Sequence, residues 1–367
     1  MTNDNRFAWR LSLIGCIPIA MFALASPPTI AQLFEDPLSA PANNGTQGIN
    51  REEADRLVRF GGQAERQGQY QKAIDYWLQA ADIYQRLGDL DSLGQTYDYL
   101  GLTYIKIERL DAAENYLRRR LGIARDLNDF QGQIYGYNNV GTLLLQYGNF
   151  QGALASFQEA LDIARSSESP AGEGLSISNL GLLAARQGNY EEAVKRYEAA
   201  LILRRRVSDP IGEINTRNSL GDAYLALENY REAQISFGIG RQLAREAQDE
   251  AGEIRSTGGL ARTYIAAGNT NAALTELKNW AMLARETRDL RQELIALRLT
   301  GQVYQALGEW PRSRQAYERA IAIANVLEDF QQEAWLRNEL VRVLYQLQGI
   351  LEVEPQSIAN SSNLGIL

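Results

Sequence analysis

The chain has 367 residues, 45% of them hydrophobic and 22% charged, enough for two ordinary domains or one long array and too apolar for wholesale disorder. Its 37 basic and 45 acidic residues leave a net charge of −8, which offers no general attraction to phosphate backbones, so no nucleic acid partner is expected. Histidine is absent and Cys16 is the single cysteine, which excludes Ser-His-Asp and Cys-His catalysis, Cys-ligated metal sites and an internal disulfide; the expectation is no enzyme.

At the amino terminus Arg6 and Arg10 precede an apolar run from Leu11 to Ala25, followed by Pro27 and Pro28. That layout predicts a secretory signal peptide over 1–31, cut after Ala25 or after Ala31. The run has 15 residues and contains Pro18, short of the ~20 that a spanning helix needs, so no stable membrane span is expected in the mature chain. Leu13-Ile14-Gly15-Cys16 also fits a lipoprotein signal. An exported protein, periplasmic or extracellular, follows. Residues 32–49 are rich in Pro, Asn, Gly and Ala and predict a flexible linker.

From residue 50 onward one landmark recurs every 40 residues: Gly68, Glu108, Gly148, Gly188, Glu228, Gly268 and Gly308. Seven residues earlier stands Gly61, Gly101, Gly141, Gly181, Gly221, Ala261 or Gly301; five later stands Ala, or Ser313 in the last unit. Large residues fill a further column at Trp77, Leu117, Phe157, Tyr197, Phe237, Leu277 and Tyr317. A fixed period of this length predicts a solenoid of identical supersecondary units.

Each unit predicts two amphipathic helices. Ala193, Tyr197, Ala200 and Leu201 share one face, with Glu191, Glu192, Lys195 and Arg196 opposite. Glycine inside a helix costs up to ~1 kcal/mol against alanine, so the glycine column predicts close approach of the paired helices with the large column between them. Asp89, Asp129, Ser169, Asp209, Asp249, Asp289 and Asp329 stand where N-caps are needed. Arg125, Arg165, Arg205, Arg245 and Arg285 close the second helices, four of them four residues before an aspartate, which predicts local ion pairs and dipole support. In the sixth unit Gly258-Gly259, Thr270 for the aromatic and Trp280 for the usual alanine predict weakened or altered packing and the point where the superhelix opens most readily.

No P-loop, zincin or EF-hand motif occurs; Gly238-Ile239-Gly240 lies inside a predicted helix. Acidic clusters such as Glu52-Glu53 with Asp55 suit solvated helix starts without any metal. The metal expectation is none.

Leu100-Gly101-Leu102-Thr103-Tyr104, together with Ala153, Phe157 and Ala160, resembles the tetratricopeptide repeat (TPR), in the longer-period branch found in kinesin light chain and Rap-type regulators. The resemblance covers residues 50–348 and implies an all-α, right-handed superhelical solenoid of seven helix pairs with a C-terminal capping helix, followed by a flexible tail over 349–367. In this family the first helix of each pair lines a concave groove. Matching positions are Gln95 and Asp98; Tyr135, Asn138, Asn139 and Thr142; Asn179; Asn215, Asn218 and Asp222; then Arg255, Arg262, Arg298 and Arg342. The amides resemble the asparagine ladder of peptide-binding members, and the arginines suit a carboxylate. A polar wall that meets only water accounts for the same residues without a ligand.

The implied function is a scaffold holding a protein or extended peptide segment in that groove. The architecture further resembles the PratA-like periplasmic factors of cyanobacteria, implying photosystem II assembly, the D1 subunit as partner and manganese handling through oxygen ligands alone. A peptide-responsive regulator and a structural envelope scaffold are the alternatives.

Overall fold

The computed structural model describes residues 45–349, and its regular elements there are all α-helices. In order they are α1 Gly45–Arg66, α2 Tyr70–Leu87, α3 Leu90–Lys106, α4 Leu110–Asp126, α5 Phe130–Gln146, α6 Phe150–Ser166, α7 Pro170–Arg186, α8 Tyr190–Arg206, α9 Pro210–Ala226, α10 Tyr230–Glu246, α11 Glu250–Ala266, α12 Thr270–Glu286, α13 Leu290–Ala306, α14 Trp310–Val326 and α15 Phe330–Leu347. They pack as seven consecutive pairs, α1 with α2 through α13 with α14, and α15 packs on the last of them, chiefly against α14. The all-α superhelical solenoid read from the repeat is the fold.

Its first helix begins at Gly45, so the last residues of the segment expected to be a linker, 32–49, are helical. The leader's last proline is Pro41, and extending a formed helix backward costs far less than nucleating one. The signal peptide over 1–31, both of its cleavage points, the rest of the linker and the tail beyond Gly349 lie outside the described residues.

The structure beats at 20 residues rather than 40. From Tyr70 to Phe330 a helix starts every 20 residues, and the turns within pairs and between pairs follow one backbone path. One residue of each turn is left-handed: six of them are glycines, such as Gly148 (φ 73°), and eight are not, such as Asn128 (φ 53°) and Ser208 (φ 54°). In each the chain closes the helix in a Schellman arrangement: Asp129 N–H donates to the Ala124 carbonyl (2.8 Å) and Asn128 N–H to that of Arg125 (3.1 Å). All seven anticipated N-caps accept from the backbone three residues on, as Asp209 Oδ1 does from Gly212 N–H at 2.8 Å. Asn149, Asn189 and Asn269 cap second helices in the same way, a role not read from the sequence.

The glycine column does what its spacing implied. A Cβ on Gly141 would stand 2.5 Å from the Phe157 ring, on Gly101 2.6 Å from Leu117, and on Gly301 2.5 Å from Tyr317. Each large side chain, fully buried, fills the space that the missing methyl leaves.

The sixth pair differs from expectation. Helix α11 runs unbroken through Gly258 and Gly259, and both are buried. A Cβ on Gly258 would lie 2.9 Å from the Trp280 indole, and one on Gly259 would strike Phe237 of the preceding pair. The double glycine therefore compensates for a large ring in a small-residue column. Trp280 is 2% exposed, and its Nε1 donates to Gln292 Oε1 at 3.1 Å, so the site is filled rather than loosened.

At the far end, Val341 occupies the glycine column of α15 and is 47% exposed, with Arg337 paired to Glu333 at 2.6 Å beside it. A branched side chain where close approach needs glycine, next to an ion pair, is the polar face of a cap.

Candidate binding groove

Helices α5, α7, α9 and α11 each pack against the next odd-numbered helix, whereas no two even-numbered helices approach as closely. The odd helices therefore form the inner wall. Their side chains divide by column into those that join one pair to the next and those that face outward.

Most of the asparagines expected in the groove are joints. Asn138 is 2% exposed; its Nδ2 donates to the Ile134 carbonyl (2.8 Å) and to Ser176 Oγ (3.0 Å), and its Oδ1 accepts from Asn179 Nδ2 (2.8 Å). Asn218 is wholly buried and its Oδ1 accepts from Ser256 Oγ at 2.8 Å. Asn139 Nδ2 donates to Asp98 Oδ1 (3.4 Å), and Thr142 Oγ1 to the Asn138 carbonyl (2.9 Å). The expectation that Asn138, Asn218 and Asn179 wait for a peptide backbone is corrected: each makes a side-chain hydrogen bond across the interface between pairs. Their column points between adjacent helices, where a buried amide must find partners. The signal that could have shown this is the small hydroxyl 38 residues later, Ser176 for Asn138 and Ser256 for Asn218.

What faces outward is the column three residues earlier. Gln95, Tyr135, Leu175, Asn215, Arg255 and Trp335 are all half-buried, and Gln95, Tyr135 and Asn215 hydrogen-bond to nothing else among the described residues. A parallel column carries Thr142, Asp222, Arg262 and Arg342.

The arginines are also not equivalent. Arg262 donates to Asp222 Oδ1 (2.8 Å) and Arg255 to Asp222 Oδ2 (3.3 Å), so two cations share one carboxylate, while Arg342, mostly exposed, pairs with Glu339 on its own helix (2.8 Å). Arg298 meets Gln332 and the Trp335 ring. At the other end Asp98 accepts from Arg120 Nε (3.1 Å), and Arg120 also reaches Asp129 (3.0 Å). Burial nevertheless outweighs Arg120 and pushes the Asp98 carboxyl up to about 6.

The closing arginines of the second helices differ from expectation. Arg165 pairs with Glu173 (3.0 Å), Arg205 with Glu213 (2.8 Å), Arg245 with Glu253 (2.6 Å) and Arg285 with Glu293 (2.6 Å), each eight residues on and across the turn. The residue four on, Ser169 or an aspartate, caps the next helix, and the arginine reaches past it to the glutamate. Arg125 instead lies against Tyr137. Among the described residues no group of three or more His, Cys, Asp or Glu gathers as for a metal ion, and no helix is long and apolar enough to cross a membrane.

Paired helices, a small residue at each close approach and a fixed repeat agree with sequence comparison. Two tetratricopeptide-repeat family models match, one over residues 54–126 and 173–238 and the other over 135–168. The chain carries tetratricopeptide repeats. No curated protein matches it in sequence. Among solved structures, this TPR array is similar to aspartyl phosphate phosphatase F from Bacillus subtilis (TM-score 0.59, 13% identity, 78% of this chain and 73% of that one). It is similar to apo RapI (0.56, 17%, 76% and 99%). It is also similar to the Rap conjugation gene regulator of plasmid pLS20 in complex with the Phr* peptide (0.57, 17%, 79% and 81%). At these identities the likeness is one of fold. Within the TPR frame this chain departs most where Arg120 and Trp280 replace the alanine of the second helix, and at both places the inner helix supplies glycines, Gly94 and Gly258, that make room.

Proposed function

We propose that this TPR chain is an exported scaffold that holds an extended segment of a partner protein against its odd-numbered helices. The observation that carries the reading is the outward column, one half-buried side chain per pair at a 40-residue interval, with Gln95, Tyr135 and Asn215 unengaged by the rest of the chain. Donors and acceptors repeated at a constant step suit a chain that repeats its own amides. No group in the groove is arranged for covalent chemistry, so binding rather than catalysis is the proposed activity. Export rests on the Arg6, Arg10 and Leu11–Ala25 arrangement.

The pLS20 regulator, a like array solved in complex with a peptide, favours a peptide-responsive regulator as the second reading. Assembly of photosystem II through D1, with manganese, rests on architecture, and no residue of the inner wall adds to it.

The test is selection of random linear dodecapeptides on the full chain. Selected peptides should lose affinity for a Gln95→Ala, Tyr135→Ala, Asn215→Ala variant and keep it for Ile202→Ser on an outer helix. Binding that follows Ile202 instead would overturn the groove reading.

A further inference from the structure

Phe60 occupies a column that is buried in the next five pairs. Its equivalents at 40-residue steps, Leu100, Val140, Leu180, Leu220 and Leu260, are no more than 4% exposed. They pack on the second helix of the pair before them, as Leu220 does in one cluster with Tyr197 and Leu260 in one with Phe237. Helix α1 opens the described array, and there Phe60 is 45% exposed, its ring centre 5.7 Å from that of Tyr76. The two rings border a cavity of about 130 Å³ between α1 and α2, shared with Gln63, Gln67 and Lys72.

A terminal repeat keeps a polar outer face, and an aromatic ring in the middle of that face departs from the rule. Along α1, Arg56, Phe60, Gln63 and Gln67 follow one another on the face at helical spacing. Glu52, Arg59 and Arg66 run beside them at seven-residue steps; all three are exposed, and none makes an ion pair among the described residues. Other charges of the helix are engaged toward α3, Arg51 with Asp89 (3.2 Å) and Glu65 with Lys106 (2.6 Å). At the far end of the array α15 answers its own arginines, Arg337 with Glu333 and Arg342 with Glu339. The free row on α1 is thus acidic at one end and basic at the other, with Arg59 at its centre. Laid against a reversed copy of itself, it is complementary.

We propose that this face is a contact between two copies of the chain, which meet at α1 in antiparallel alignment about a two-fold axis near Phe60. Such a contact is self-complementary: Glu52 of each copy stands opposite Arg66 of the other, and the α1 ridge of each covers the Phe60 ring of its mate. Arg59 lies close to the axis and faces its own copy, a like-charge meeting that keeps the dimer reversible. Gln95, Tyr135 and Asn215 stand on later helices, so the dimer offers two grooves.

The test is sedimentation equilibrium of the full chain over a concentration series, where a monomer–dimer equilibrium is expected. Phe60→Lys, at an exposed position, should leave the helical circular dichroism unchanged and weaken the dimer about tenfold or more. Glu52→Arg and Arg66→Glu should each weaken it about tenfold, and the two together should restore it, because the row is then complementary with its signs exchanged. A chain that stays monomeric, as it does if another part of it covers Phe60, would overturn the proposal. So would a dimer indifferent to Phe60→Lys, a double charge variant no better than the single ones, or growth beyond the dimer, which marks a head-to-tail contact.

Discussion

Asn179 and Asn138, 41 residues apart in the chain, meet through one hydrogen bond of 2.8 Å from Nδ2 to Oδ1. Through that contact, and that of Asn138 with Ser176, the third and fourth pairs are held in register. Asn138→Ala leaves the Asn179 donor without its acceptor and should cost about 1–3 kcal/mol, whereas Asn215→Ala, at a half-exposed position, should stay within about 0.5 kcal/mol. Urea unfolding of both variants checks this; equal losses would mean that Asn138 is not a joint.

Packing outweighs surface charge in this array. Gly141→Leu drives a side chain into Phe157, where even a Cβ would stand 2.5 Å away, and should cost at least about 1–3 kcal/mol. Arg165→Ala removes a pair whose arginine is 56% exposed and should cost no more than about 1 kcal/mol. Similar melting shifts for the two would reverse this ranking.

The Gly258 and Trp280 pair offers a coupled test. Trp280→Ala should cost about 3–5 kcal/mol by leaving a large void, and Gly258→Ala alone should be destabilising because its Cβ would lie 2.9 Å from the indole. With both changes the second penalty should vanish, a coupling visible in a double-mutant cycle. Amide exchange in α11 should be as slow as in α5 and α7; faster exchange there would show that the double glycine does weaken the helix.

Asp98 gives a dependence on pH. Its carboxyl is harder to ionise in the fold than in the unfolded chain, with a value moved from 3.8 up to about 6. Its contribution therefore favours the fold below about pH 4 and is lost as pH rises through about 6. Asp98→Asn cannot ionise, so its stability relative to the parent should improve from pH 4 to pH 7.5. A constant difference across that range in denaturant midpoint would remove the argument.

The repeat period, the pairing and the close approach of Gly141 to Phe157 were legible because steric columns repeat in sequence as they do in space. The 20-residue beat was only half visible: Asn128, Ser208 and Gln248 adopt a left-handed conformation that glycine would have advertised. Side-chain destinations were less legible. Asn138 and Asn215 are alike in sequence character, yet about a sixth of a turn decides whether an amide enters the neighbouring helix or faces out. The arginine column was misassigned to Asp209 and its equivalents because the sequence places them nearest, while the backbone amides of the next helix claim them first.

The uniform turn has a mechanical consequence. Since bends within and between pairs share one backbone path with a single left-handed residue, no position along the described array is a hinge by construction. Tension on its two ends would be shared among many equal, slightly compliant bends, so the molecule should stretch as a spring and tune its pitch to the length of whatever lies along it.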